Sequence, residues 1–368
     1  MAVDEAAWKR TAAEFWRGRR VMVTGHTGFK GAWLCLWLRR LGAHVTGFAL
    51  APATTPNLWD MTCGDTVSLI GDIRDGLRVR DAMLAADPEV VIHMAAQALV
   101  RESYRDPIGT YSTNVQGTAV LLEACRELKS LQCALIVTSD KVYENRGAGR
   151  PFEEGDRLGG NDPYSSSKAC CELLTASLRE SFFKSGPPIA TVRAGNVVGG
   201  GDWSAERLIP DCVRALAAGE PVLLRYADAV RPWQHVLEPL SGYLELARAL
   251  VQDPGRAPRA VNFGPAPASF CTVHEVVDAF SERFAGKPGW RRDTGQQPEE
   301  AEFLTLSSEL ARKALGWHPS LGFAESLTWT ADWYQAHAAG EDMTIVCQAQ
   351  IAHYETLIGR AAARSAQP

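Results

Sequence analysis

No two of the nine cysteines in this 368-residue chain stand in Cys-x-x-Cys spacing, and several lie within apolar segments. That argues against a zinc site and a disulfide framework. It favours reduced thiols packed as small hydrophobes, and no metal is expected. No apolar run reaches the roughly 18 residues that a membrane-spanning helix needs, and MAVDEAAWKR has no apolar signal-peptide core. A cytoplasmic protein without a membrane partner is expected. Long basic runs are missing too: 38 Lys and Arg stand against 43 Asp and Glu, for a formal charge of −5. Nucleic acid is therefore a poor candidate partner. Internal repeats and low-complexity segments are also lacking. What is present is 46% hydrophobic and 22% charged residues, enough for a large core in one large or two unequal domains.

Short apolar runs at 20–24, 44–49, 67–70, 89–93, 134–138 and 189–193 read as buried strands, alternating with helical patterns. This predicts an α/β fold with a parallel, doubly wound sheet. Between the first strand and the helix WLCLWLRRLG lies GHTGFKG, with Gly25, Gly28 and Gly31 three apart. Glycines at a strand-to-helix turn permit a tight bend and close approach of a pyrophosphate, which the free N–H groups of the helix then face. Thr27, Phe29 and Lys30 fill out that turn as candidate cofactor contacts. The second strand runs into LAPATTPNLWD with no acid before Asp60, so the ribose position does not separate NAD from NADP. In GDIRD, Asp72 beside Ile73 either meets an adenine amino group or caps the next helix. The small residues Ala95 and Ala96 in HMAAQ leave room for a flat cofactor. Residues 110–128 read as one helix, with Asn114 in a structural role.

The strand at 134–138 ends in Thr138, and Ser139, Asp140 and Lys141 follow it. Tyr164 and Lys168 come later in PYSSSK, four apart before a helix, which puts phenol and ammonium on one face. An ammonium there is expected to lower the tyrosine pKa, and a hydroxyl beside the pair suits proton removal from an alcohol as hydride leaves its carbon. Taken alone, Tyr-x-x-x-Lys is more often a solvated pair. The glycine turn upstream changes that weighting. From about 196 the texture shifts to a smaller region, with a strand and helix returning near 230–265. The boundaries read as 15–195, 196–340 and a weakly patterned tail at 341–368.

Together the glycine turn, HMAAQ, NVQGT, SDK and YSSSK resemble the extended short-chain dehydrogenase/reductase family over roughly residues 15–335. That family implies a Rossmann-type sheet with a smaller C-terminal substrate-binding region, a nicotinamide cofactor and a nucleotide-sugar substrate. GHTGFKGAWL, TSDKVYEN, RAGNVVGGGDW and RPWQHVLEPLSGYL are closest to the branch of 4,6-dehydratases acting on CDP-glucose, which implies NAD. By that resemblance Tyr164 is the base for the C4 hydroxyl. Lys168 assists it and holds the nicotinamide ribose, Ser139 bonds the C4 oxygen, and Asp140 is the acid for the departing C6 hydroxyl, with a pKa raised by burial. Lys141 stands where most 4,6-dehydratases carry Glu. It is either the base for the C5 proton, a stabiliser of the enolate, or a partner for Asp140.

Substrate contacts are expected from Gln97, Asn196, Arg207 and, for the pyrophosphate, Arg231. Glu299 and Glu300 occupy a stretch where many relatives have a second arginine. The helices near 100–127 and 165–182 resemble those by which family members form a four-helix bundle, implying a homodimer or dimer of dimers. A nucleotide-sugar 4-epimerase and a cofactor-binding regulator are the competing readings. Asp140 and Lys141 speak against the first, and the retained Tyr164 and Lys168 against the second.

Overall fold

The computed structural model describes residues 7–147, 149–285, 289–295 and 301–365. Its centre is a parallel sheet of β1 (Arg20–Thr24), β2 (His44–Ala49), β3 (Val67–Ile70), β4 (Val90–His93), β5 (Cys133–Val137), β6 (Ile189–Ala194) and β7 (Ala260–Phe263). These lie in the order β7-β6-β5-β4-β1-β2-β3. The order reverses between β1 and β4, where Thr24 is level with both Phe48 and His93. A crevice opens at such a switch point beyond the strand carboxyl ends.

The inner strands are nearly continuous apolar runs because both of their faces are covered, whereas the edge strand β3 is largely exposed. Val21, Val23, Val90, Ile92, Cys133 and Leu135 enter one core cluster, whereas Met22, Val91, Ala134 and Ile136 enter another. That alternation is the period of a strand. The longer helices are, in chain order, α1 (Ala7–Trp16), α2 (Phe29–Arg40), α3 (Gly76–Ala86), α4 (Gly117–Cys125), α5 (Pro163–Phe182), α6 (Leu208–Ala217), α7 (Leu237–Gln252), α8 (Val273–Ala285), α9 (Phe323–Ala338) and α10 (Met343–Ser365). Residues Gly31 to Leu38 of α2 are all buried, as expected of a helix that is apolar around its whole circumference.

Two expectations change. The single helix over 110–128 is broken into Pro107–Tyr111, a π-helical turn at Ser112–Gln116, and α4. At that turn Asn114 receives Gln97 N at 2.8 Å and donates to Gln97 O and to Ser167 Oγ. Its role is structural, and it ties the loop after β4 to α5. The weakly patterned tail is the helix α10, docked partly through polar groups. Glu355 accepts from Trp37 Nε1 at 3.2 Å and Arg40 Nε at 3.1 Å, while the Tyr354 hydroxyl donates to Glu238 at 2.7 Å. These buried polar groups sit beside an apolar stripe of Met343, Cys347, Ile351 and Tyr354 that packs into the core.

After β6 the chain builds short paired strands beside the crevice. Val197–Val198 pairs with Gln234–His235, Val230–Pro232 with Phe270–Thr272, and Val222–Leu224 with Trp290–Arg292. Among the described residues no helix is long and apolar enough to cross a membrane, and no cluster of His, Cys, Asp and Glu could hold a metal. The cysteines are free thiols, with Cys170 and Cys271 partly exposed and the others buried.

Candidate active site

A cavity of about 740 Å³ runs from the glycine turn past the end of β5 to the short strands. That volume falls within the roughly 300–1,000 Å³ typical of ligand sites. At one end Gly25 has a φ of 74°, and a Cβ there would lie 2.6 Å from Ala95 N. A Cβ on Gly31 would lie 2.2 Å from the Gly25 carbonyl oxygen. Glycine is required at both positions by close backbone approach, and at Gly25 by conformation as well. Gly28 occupies the N-cap of α2 without a side-chain cap, so the first N–H groups of that helix remain open for an anion. Thr27 Oγ1 donates to Leu50 O at 2.8 Å, bracing the turn against the end of β2.

Lys30 points inward. Its ammonium donates to the Tyr243 hydroxyl at 3.0 Å, and burial, with help from the charges of Arg207 and Lys168, pulls its pKa down to about 7. Phe29 reaches the other side of the crevice, where a Cβ on Gly199 would come within 3.1 Å of its ring. Asp72 lines the cavity but does not cap α3. It receives Arg74 N at 2.9 Å and pairs with the Arg74 guanidinium at 2.5 Å, which holds its carboxyl below the usual range. The cap of α3 is Asp75, which accepts from Arg78 N. Ile73 is buried against Gly117, where a Cβ would meet its Cγ2 at 2.7 Å. Thr24 Oγ1 accepts from the N–H groups of Met94 and Ala95, and this seats Ala95 and Ala96 on the cavity wall.

Thr138, Ser139, Asp140, Lys141, Tyr164 and Lys168 converge on the same cavity. The α5 helix that carries the tyrosine begins at Pro163, capped by Asp162, which receives Ser165 N at 2.9 Å. Ser139 Oγ donates to Asp140 Oδ1 at 3.0 Å and accepts from Lys141 N at 3.2 Å. Asp140 is 3% exposed, and its Oδ2 has no hydrogen-bond partner among the described residues. Burial pushes its pKa up against the opposing effects of Lys141, Ser139 and Arg231. A carboxyl so placed favours its protonated form.

The lowered tyrosine pKa expected from Lys168 is not found. Burial pushes Tyr164 up to about 12, and hydrogen bonding to Ser139 and the charge of Arg207 only partly offset it. Lys168 donates to Val137 O at 3.1 Å, and burial moves its own pKa down. The spacing placed both groups on one helix face but could not supply the cost of enclosing them.

The candidate substrate residues differ among themselves. Gln97 is committed to the loop after β4, donating to Thr110 Oγ1 at 2.9 Å and accepting from Leu99 N at 2.5 Å. Asn196 accepts from Gln234 N through its carbonyl, and Arg207 pairs with Asp202 at 3.1 Å. Arg231 is 3% exposed and donates to the Val230 carbonyl. All four line the cavity. Glu299 and Glu300 lie outside the described residues. Sequence reading missed Glu172 and Arg193, a buried ion pair at 2.8 Å directly beneath the site. The available signal was the i+4 position of Glu172 after Lys168.

Known proteins resemble this chain in sequence and in fold. The model of the family described as "NAD dependent epimerase/dehydratase family" matches residues 21–264. CDP-glucose 4,6-dehydratase of Salmonella typhimurium is 44% identical over 348 residues, covering 92% of this chain and 97% of that protein. A dTDP-glucose 4,6-dehydratase of Xanthomonas campestris pv. campestris is 29% identical, covering 85% and 92%. The crystal structure of UDP-glucose 4-epimerase from Thermus thermophilus in complex with NAD superposes with a TM-score of 0.75 at 26% identity, covering 86% of this chain and 99% of that one. With the glycine turn, the strand-end hydroxyl and the Tyr-Lys helix meeting at one sheet edge, this chain belongs to the NAD dependent epimerase/dehydratase family.

Proposed function

We propose that this protein dehydrates CDP-D-glucose to CDP-4-keto-6-deoxy-D-glucose in the cytoplasm, with NAD as a recycled cofactor. The observation that carries the reading is Asp140, a buried carboxyl with an unpartnered oxygen on the cavity that also holds Tyr164. Epimerisation at C4 has no use for such an acid. The 44% identity to the Salmonella typhimurium enzyme supports both reaction and substrate.

The residues fit NAD. Its pyrophosphate would lie against the open amino terminus of α2, in the cradle that a Cβ on Gly25 or Gly31 would fill. When bound, NAD supplies the acceptor for the C4 hydride and returns that hydride to C6. Tyr164 takes the proton of the C4 hydroxyl while Ser139 bonds the oxygen. It takes that proton as the phenolate, a form that burial disfavours and that the hydrogen bond with Ser139 and the charge of Arg207 favour.

The C4 ketone makes the C5 proton acidic. Lys141 removes it, and Asp140 gives a proton to the C6 hydroxyl, which leaves as water. The proton held by Lys141 returns to C5 when hydride is given back at C6, which balances the removal. Arg231 and Arg207 offer positive charge to the nucleotide diphosphate, and the region 196–340 is assigned to the substrate.

A homodimer through the helices of residues 100–111 and α5 belongs to the same reading. It is supported by the exposed apolar side chains of Tyr104, Ile108, Leu173 and Phe182 on those elements. The experiment is incubation with NAD and CDP-glucose, dTDP-glucose or GDP-mannose, following loss of one water by mass spectrometry. Water loss from CDP-glucose alone is expected. Water loss from none of them overturns the proposal.

A further inference from the structure

Tyr164, Lys168 and Glu172 follow one another at four-residue intervals along α5 and so share a face. The Glu172 carboxylate is 4% exposed. It accepts from Thr138 Oγ1 at 2.5 Å, from Thr191 Oγ1 at 2.6 Å, and from Arg193 Nε and Nη2, each at 2.8 Å. A carboxylate offers about four lone-pair sites, so its capacity is used. Arg193, 3% exposed, continues through Nη1 to the Tyr143 hydroxyl at 2.7 Å, and that hydroxyl donates to Asn262 Oδ1 at 2.7 Å.

Thr138 immediately precedes Ser139, and Tyr143 comes two residues after Lys141. The turn that carries Ser139, Asp140 and Lys141 is thus held at both ends by one ion pair. The acidic half of that pair sits on the helix that carries Tyr164 and Lys168. Neither Glu172 nor Arg193 is among the described residues that line the cavity. A buried ion pair is weak evidence for stability, because well-packed apolar groups of the same volume often serve as well. Position explains this one better. A single bound hexose must present C4 to Tyr164 and C5 and C6 to Lys141 and Asp140, so the turn and the helix need a fixed separation.

We propose that Glu172 and Arg193 are positioning residues, a clamp that sets the Ser139–Asp140–Lys141 turn against Tyr164 and Lys168. The inference rests on the dehydratase reading. It makes the clamp a determinant of turnover, with little effect on substrate binding.

The test compares two near-isosteric cuts. Tyr143→Phe removes the hydrogen bonds of the hydroxyl to Arg193 and Asn262 but keeps the ion pair, the guanidinium over the ring and the stacking on Phe152 at 4.9 Å. Thr191→Val removes a hydrogen bond from the same carboxylate on the side of β6, away from the turn. Tyr143→Phe is expected to lower kcat about tenfold or more with KM within about twofold. Thr191→Val is expected to keep kcat within about twofold, at a similar thermal midpoint. Equal losses in the two variants, or losses that follow the thermal midpoint, would overturn the clamp.

Crystal structures of both variants give a readout independent of turnover. Asp140 displaced relative to Tyr164 in Tyr143→Phe alone supports the clamp, and Asp140 unmoved in both overturns it. Absence of water loss in the wild-type enzyme would sink the dehydratase reading instead, leaving the crystal structures to decide the clamp.

Discussion

The ammonium of Lys168 donates to the carbonyl oxygen of Val137 across 3.1 Å. The helix that carries Tyr164 is therefore fastened to the strand end that continues into Thr138 and Ser139. Lys168→Met keeps an unbranched side chain one atom shorter and loses both the ammonium and this bond. Dehydration is expected to fall by about a hundredfold or more. Steady-state water release from CDP-glucose measures it, and a loss under about threefold would exclude a role in proton transfer.

Asp140→Asn separates catalysis from stability. The amide keeps the shape and cannot protonate the C6 hydroxyl, so water loss should drop about 10²- to 10⁴-fold while C4 oxidation continues. Because burial raises the folded pKa of Asp140, the native state holds its proton more tightly than the unfolded state does. Stability therefore falls as pH rises from the unfolded to the folded value, and the penalty is fully present above it. Removing that penalty should raise the thermal midpoint at neutral pH. Calorimetry beside the activity assay checks both halves.

Glu238 predicts a pH dependence of the fold. It is buried, accepts from Ser320 N at 2.8 Å, from Leu321 N at 2.6 Å and from the Tyr354 hydroxyl at 2.7 Å, and its pKa is pushed up from 4.5 to about 7. Between those values the native state keeps a proton that the unfolded state has lost, so stability decreases as pH rises through the window. The contribution is of order 3 kcal/mol at most. Glu238→Gln should flatten the denaturation midpoint across that window. An unchanged slope would place the dependence elsewhere.

The glycine turn predicts a sharp contrast between two substitutions. Gly31→Ala puts a Cβ 2.2 Å from the Gly25 carbonyl oxygen, whereas Gly18→Ala meets nothing within 4 Å. The first should abolish dinucleotide binding by calorimetry. The second should cost only about 1 kcal/mol of stability, from its φ of 71°, and leave binding unchanged.

Ile108 is 78% exposed on the face proposed for self-association. Ile108→Asp should shift sedimentation from dimer to monomer without loss of helix content. A wild-type protein that sediments as a monomer at micromolar concentration would remove the dimer.

Much of this molecule was legible before folding. The central strands lie within a residue or so of their apolar runs, because the inner ones are buried on both faces and so are short and apolar throughout. The glycine turn and the Tyr164–Lys168 spacing were legible because each is local, set by backbone geometry over a few residues. The helix over 110–128 was not, since the π turn at Asn114 answers to Gln97 and Ser167, which approach from other elements. In α10 the apolar stripe of Met343, Cys347, Ile351 and Tyr354 was there to read, and only the polar docking through Glu355, Trp37 and Arg40 was not.

By itself the sequence determined the alternation of strands and helices, the switch-point crevice and the residue types gathered at its edge. Only the tertiary structure decided their electrical state and mutual alignment. Enclosure raised the pKa values of Tyr164 and Asp140 and lowered that of Lys168, and Glu172 of α5 met Arg193 of β6. Desolvation and long-range pairing depend on what surrounds a group in space. Residues that neighbour it along the chain do not specify that surrounding.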